Sequence, residues 1–157
     1  MAEDRQFVVF KLVHDDQVSE YAVPISNVQE IIPLPEPIRL PQVPDFIEGI
    51  INLRGTIIPI IDLKKRFELG NSVEVKDKRS IIIDLAGQIV GIIVDEVNEV
   101  LRLSEDKIEA PPAVISGIAS EYLIGVGKLA DRLLIILDVE KVFNEWEKDV
   151  LKSACSA

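Results

Sequence analysis

One cysteine, one histidine and one methionine among 157 residues leave little from which to build redox or metal chemistry. Cys155 has no second thiol with which to form an intrachain disulfide or a thiolate metal site, and a reducing compartment suits it. Aromatic residues make up only 5% of a chain that is 48% hydrophobic, so the core must be packed from Ile, Val and Leu. Cations are short as well: 17 Lys and Arg stand against 27 Asp and Glu, a net charge of −10. The basic residues are scattered and do not form a stripe, which excludes nucleic acid as an expected partner. No apolar run approaches the roughly 20 residues that cross a bilayer. The acidic start, with Glu3 and Asp4, is unlike the basic opening of a secretion signal. A cytoplasmic protein with no direct membrane insertion is expected.

What is present is a succession of β-branched bursts about five to eight residues long, the length of ordinary strands. They run from Gln6–Leu12 and Glu20–Val23 through Thr56–Ile61, Arg79–Leu85 and Gln88–Val94 to Ile124–Leu129 and Arg132–Leu137. Nine or ten strands in an all-β fold are predicted. Hairpin turns are expected at Leu53-Arg54-Gly55, Ala86-Gly87 and Ala130-Asp131. Short helical turns are expected after Ser26, through Asn27 to Glu30, and after Asp62, through Leu63 to Phe67. A C-terminal helix over about 138–153 follows from the spacing of Val139, Val142, Phe143, Trp146, Val150 and Leu151.

The chain also repeats itself. GIINLRGTIIPIIDLKKRF, from Gly49, lies without gaps on GVGKLADRLLIILDVEKVF, from Gly125, so that Leu53 meets Leu129, Ile60 meets Ile136, Asp62 meets Asp138 and Phe67 meets Phe143. Upstream, Val28-Gln29-Glu30-Ile31 lies on Val97-Asn98-Glu99-Val100, and Val8–Leu12 on Ile81–Leu85. Two copies are expected within a single domain of 1–157, as subdomains of about 6–69 and 79–143, each the size of a small barrel and packed on the other through an aliphatic seam.

Catalysis requires nucleophile, acid or base, and electrophilic stabiliser to converge, and the sequence offers no such set. His14 reads as a loop residue, Asp62 and Asp138 as helix N-caps, and Asp84 and Asp95 as surface charges at strand ends. No phosphate-binding glycine motif is present, and no catalytic residue, metal or cofactor is expected. Arg54 stands apart at the tip of an apolar hairpin. It is either half of an internal ion pair, with Glu30 as partner, or a planar five-donor anchor for another protein.

The run from Phe46 to Leu63, FIEGIINLRGTIIPIIDL, resembles the signature of the CheW-like family of chemotaxis coupling proteins. Val28-Gln29-Glu30-Ile31, Gly91-Ile92-Ile93-Val94-Asp95 and Glu121-Tyr122-Leu123-Ile124-Gly125 are similar to the family in order and spacing. The resemblance implies two SH3-like five-stranded β-barrels on a shared core, and a non-catalytic adaptor. Such an adaptor binds the regulatory domain of the histidine kinase CheA and the cytoplasmic tip of methyl-accepting chemotaxis receptors, and is recruited through them to membrane arrays. By motif, Val28, Glu30, Asn52, Arg54, Val97 and Val100 would face the receptor, and Ile38, Arg39, Leu40 and Val43 the kinase. Gly49 and Gly91 would permit close backbone packing. The alternative is a scaffold or regulatory module for another histidine kinase, without receptor binding.

Overall fold

A computed structural model describes residues 4–14, 17–67, 78–85, 87–110, 114–115, 118–119 and 122–143. In chain order, β1 (Asp4–His14) and β2 (Gln17–Pro24) form a hairpin, and a 3-10 turn (Ile25–Asn27) leads to β3 (Val28–Pro33). There follow β4 (Ile47–Leu53), β5 (Thr56–Asp62), the one-turn helix α1 (Leu63–Arg66), β6 (Arg79–Leu85), β7 (Gln88–Val94) and β8 (Glu96–Ser104). After a second 3-10 turn (Glu105–Lys107) come β9 (Ile108–Glu109), the short pair β10 (Val114–Ile115) and β11 (Ile118–Ala119), and the hairpin β12 (Leu123–Lys128) and β13 (Leu133–Leu137). The all-β expectation holds, with 13 strands among the described residues, several of them only two residues long.

The two main sheets carry the duplication in their topology. One has the order β3-β6-β7-β5-β4; the other has the order β8-β1-β2-β13-β12-β9. Replacing each strand by its repeat mate converts the first order into the second, with β9 added as a sixth strand to the five expected. The match extends to register. Ile60 lies opposite Gly91 in the parallel pairing of β5 with β7, and its mate Ile136 lies opposite Ala22 in that of β13 with β2. The ladder passes over Gln29 between Val28 and Glu30, and over Asn98 between Val97 and Glu99, so even the β-bulge is duplicated.

The subdomain boundaries read from the repeat, 6–69 and 79–143, are not the boundaries of the sheets. The β1–β2 hairpin of the first copy pairs with β8 and β13 of the second, and the β6–β7 hairpin of the second pairs with β3 and β5 of the first. One sheet is thus built from the continuous stretch 28–94, and the other from 4–24 together with 96–137. Among the described residues the chain crosses between these two sheets at Ile25–Asn27 and at Asp95, connections of three residues and one, while β10 and β11 form a two-stranded sheet of their own.

Packing follows from this exchange. Strand β1 is buried on both faces: Phe7 and Val9 join Ala22, Leu103, Leu134 and Ile136 in a cluster belonging to its own sheet. Val8, Phe10 and Leu12 join Ile61, Ile81, Ile83, Val90 and Ile92 in the largest cluster, which draws on both sheets. A third cluster, centred on Ile51, Ile58, Ile60 and Ile82, belongs to the other sheet alone. Two cross-copy aromatic pairs close the seam. Phe46 lies 5.8 Å from Phe143 and Phe67 lies 5.9 Å from Tyr122, centroid to centroid, and the two contacts exchange under the repeat.

Asp62 caps α1 as expected, accepting from the backbone N–H of Lys64 and Lys65. The helical turn expected from Ser26 to Glu30 is instead a 3-10 turn that gives way at Val28 to strand β3, whose β-branched residues Val28, Ile31 and Ile32 favour the extended form. Asp95, expected at the surface, is buried, because it is the crossover between sheets. Residues 139–143 form turns and bends, and the remainder of the expected C-terminal helix lies outside the described residues, as does Cys155.

Candidate protein-interaction site

The β4–β5 hairpin turns through Arg54 at φ 50° and Gly55 at φ 89°. Positive φ at both central positions marks the two-residue turn whose twist matches the flanking strands. Glycine takes that conformation freely, whereas arginine meets its own carbonyl there at a cost of about 1–2 kcal/mol. Asn52 steadies the loop by accepting from the Gly55 N–H at 2.8 Å. Arg54 therefore stands, 69% exposed, on a strained tip.

From that tip the Arg54 guanidinium donates to the Glu30 carboxylate. Strands β3 and β4 are the two ends of their sheet, so this ion pair spans the gap through which the curled sheet would close. The other sheet has a counterpart that the sequence reading missed. Arg132, beside the β12–β13 turn, donates to Glu99 and lies 3.4 Å from Glu20. Its hydrogen bond to Glu99, aided by the charge of Glu20, holds the guanidinium pKa above its ordinary value. The signal was present: Glu30 and Glu99 are repeat mates, but the gapless alignment sets Arg54 against Ala130, two positions short of Arg132.

Val28 and Val97, mates on the outer strands β3 and β8, are half-buried and both pack against the cluster shared between the sheets. Along the same strands Ile31 and its mate Val100 point outward, 39% and 54% exposed. The structure thus brings Arg54, Asn52 and Glu30 together, and sets Val28 and Val97 on the common seam with Val100 farther along β8. Isolated apolar side chains on a surface are ordinary; a duplicated pair on two free edge strands is a more specific arrangement.

The segment from Ile38 to Val43 borders β4. Ile38 exchanges two backbone hydrogen bonds with Ile50, both 2.9 Å, while its side chain is 69% exposed. Arg39 reaches Glu48 at 3.9 Å, Leu40 is half-buried and Val43 packs on the shared cluster. Gly49 makes the approach possible, since a Cβ there would lie 2.2 Å from the Ile38 oxygen. Gly125 does the same for β9, where a Cβ would meet the Glu109 oxygen at 2.6 Å. Gly91 is closed by side chains instead, with Ile60 and Ser80 each 2.7 Å from where a methyl group would lie. Among the described residues no group of three or more metal-ligating side chains occurs, and no helix is long and apolar enough to cross a membrane.

The family model for the CheW-like domain matches residues 6–147. The chain belongs to the CheW-like domain family. It is 37% identical to the chemotaxis protein CheW of Klebsiella aerogenes, over 91% of this chain and 84% of that one. With the CheW of Treponema pallidum it shares 36% identity over 92% of this chain and 85% of the relative. The crystal structure of the scaffolding protein TtCheW from Thermoanaerobacter tengcongensis superposes with a TM-score of 0.82 at 39% identity, covering 94% of this chain and 92% of that one. Membership makes this chain a chemotaxis coupling adaptor built from two SH3-like β subdomains. Within that CheW-like framework, the Arg54 tip and the two outer strands carry the exposed Arg54–Glu30 ion pair and the exposed pair Ile31 and Val100.

Proposed function

We propose that this adaptor joins the cytoplasmic tip of methyl-accepting chemotaxis receptors to the regulatory domain of the histidine kinase CheA, without catalysing a reaction of its own. The observation that carries the receptor side is Arg54: a charged side chain kept at positive φ, mostly exposed, at a tip where glycine or asparagine would be less strained. Strain of this kind is retained where a side chain must be presented in one direction. The receptor tip is a helical hairpin, and Val28, Val97 and Val100 offer aliphatic contact to its apolar face while Arg54, with Asn52 and Glu30 beside it, pairs a carboxylate at the rim. The kinase side rests on Ile38, Arg39, Leu40 and Val43, where an exposed aliphatic residue lies at a sheet border suited to a homologous domain. Recruitment to membrane arrays then comes through these partners.

Titration against a receptor cytoplasmic fragment and, separately, against the kinase regulatory domain tests the assignment, with Arg54→Glu in parallel. The expected result is binding to both by the native chain, with loss confined to the receptor in the variant and an unchanged thermal transition. Kinase binding with no receptor binding would point instead to a scaffold serving a histidine kinase alone.

A further inference from the structure

Lys64 and Asp95 form an ion pair whose side chains are only 3% and 1% exposed. The Lys64 ammonium lies 2.9 and 3.1 Å from the two carboxylate oxygens and donates to the Val13 carbonyl at 3.1 Å. The same carboxylate accepts from the Val13 N–H at 2.6 Å, and the Asp95 N–H donates to the Lys11 carbonyl at 3.1 Å. Val13 and Lys11 belong to β1, in one sheet; Lys64 stands on α1, which follows β5 in the other; Asp95 is the crossover between them. The side-chain polar atoms of the pair, with the Asp95 N–H, thus join the two sheets where β8 begins. The other crossover is held differently. There Asn27 donates to the carbonyl of Asp84, the repeat mate of Lys11, at 3.3 Å, and Ile25 beside it is exposed.

We propose that Lys64 and Asp95 are positioning residues that fix the departure of β8, so that of the two receptor-facing edges β8 is the fixed one and β3 the adjustable one. This rests on the receptor-facing reading of Val97 and Val100. A buried pair is seldom a good source of net stability, because desolvation offsets the attraction. What it supplies here is geometry: Asp95 is the only residue between β7 and β8, and a carboxylate held by the Lys64 ammonium through both oxygens and by the Val13 N–H ties that crossover to β1 and α1.

Amide hydrogen exchange on the full chain tests the asymmetry directly. The Asp95 N–H should exchange slower than the Val28 N–H by on the order of tenfold or more, and equal rates would overturn the proposal. In the variant Lys64→Met with Asp95→Asn, which leaves no buried unpaired charge, the β8 amides bonded to β1 should speed up on the order of tenfold while those of β6 do not. Affinity for the receptor fragment should fall, with affinity for the kinase regulatory domain retained. A uniform rise in exchange across both sheets, or none, would refute a positioning role. Should the variant not fold, the native comparison still decides; should the native chain bind no receptor fragment, the functional assignment falls while the exchange result stands on its own.

Discussion

Replacing Gly49 by alanine places a methyl group 2.2 Å from the Ile38 oxygen and 2.7 Å from its carbonyl carbon. Both are backbone atoms, so no side-chain rotation relieves the clash and the segment bordering β4 must withdraw. Withdrawal breaks the reciprocal Ile38–Ile50 hydrogen bonds, and at about 0.5–1.5 kcal/mol each this costs about 1–3 kcal/mol. The φ of 151° adds backbone strain of about 1–3 kcal/mol for any residue but glycine. Gly87→Ala separates the two contributions, since Gly87 has φ 100° but nothing within 4 Å of a Cβ. Urea denaturation at constant m should therefore show Gly49→Ala losing about 1–3 kcal/mol more than Gly87→Ala, or about 2–12 °C in Tm. Kinase-domain binding should weaken in Gly49→Ala and persist in Gly87→Ala. Equal losses in the two variants would refute the close-approach argument.

Arg54→Asn should keep or slightly raise the thermal midpoint, because asparagine accepts the left-handed turn and the exposed ion pair contributes about 1 kcal/mol at most, while receptor affinity falls; a clear drop in midpoint would mean that Arg54 is chiefly structural. Burial pushes the Tyr21 phenol above its ordinary value of 10.0, against a smaller opposing hydrogen bond with Ser19. The hydrogen bond to Glu48 raises the Lys65 ammonium above 10.5 in the same sense. Raised folded-state values leave both contributions intact below about pH 10 and lose them as pH climbs through the folded value. Tyr21→Phe should accordingly match the native chain at pH 7 and decline less steeply above pH 10, and parallel declines would contradict this. Asp62→Ala should cost about 1–2 kcal/mol in chemical denaturation, and Asp138→Ala less, since the Asp62 carboxylate caps two N–H groups while that of Asp138 accepts from the Glu140 N–H at 3.2 Å and lies 4.0 Å from the exposed Lys141 ammonium; equal costs would rule out capping as the source.

The repeat and the strands were legible because a strand buried on both faces leaves a continuous aliphatic run, and β1, β5, β6 and β7 are such strands. Which copy each hairpin pairs with was not. Repeat mates are alike in shape and hydrophobicity, so local sequence makes pairing within a copy and pairing between copies equivalent; the short crossovers at Ile25–Asn27 and Asp95 decide it. Residue chemistry offered the Arg54–Glu30 contact as one of two roles for Arg54, beside that of an anchor for another protein, and the structure contains the contact. The buried pair was not legible. Lys64 lies in the short turn expected after Asp62, where nothing in the local sequence sets it apart from Lys65, and only the fold shows Lys64 enclosed while Lys65 remains at the surface with Glu48. Arg66 is a further case, its guanidinium lying 5.1–5.9 Å from the ring centroids of Phe46, Tyr122 and Phe143, which come together from distant points in the chain.

The nesting of one sheet inside the other also fixes an order of assembly. Residues 28–94 are continuous, so their sheet has all its strands as soon as β7 leaves the ribosome. The β1–β2 hairpin, made first, must wait for β8, β12 and β13 before its partners exist. At about 5–20 residues per second, the 113 residues from Pro24 to Leu137 take about 6–23 seconds, during which Phe7, Val9 and the unpaired edges of the hairpin lack the strands that cover them in the finished protein. The completed inner sheet offers temporary shelter, because the other face of β1, with Val8, Phe10 and Leu12, packs against it. The hairpin made before the other described strands is therefore enclosed late, and a nascent chain stalled short of β13 would be exposed to aggregation through β1 and β2.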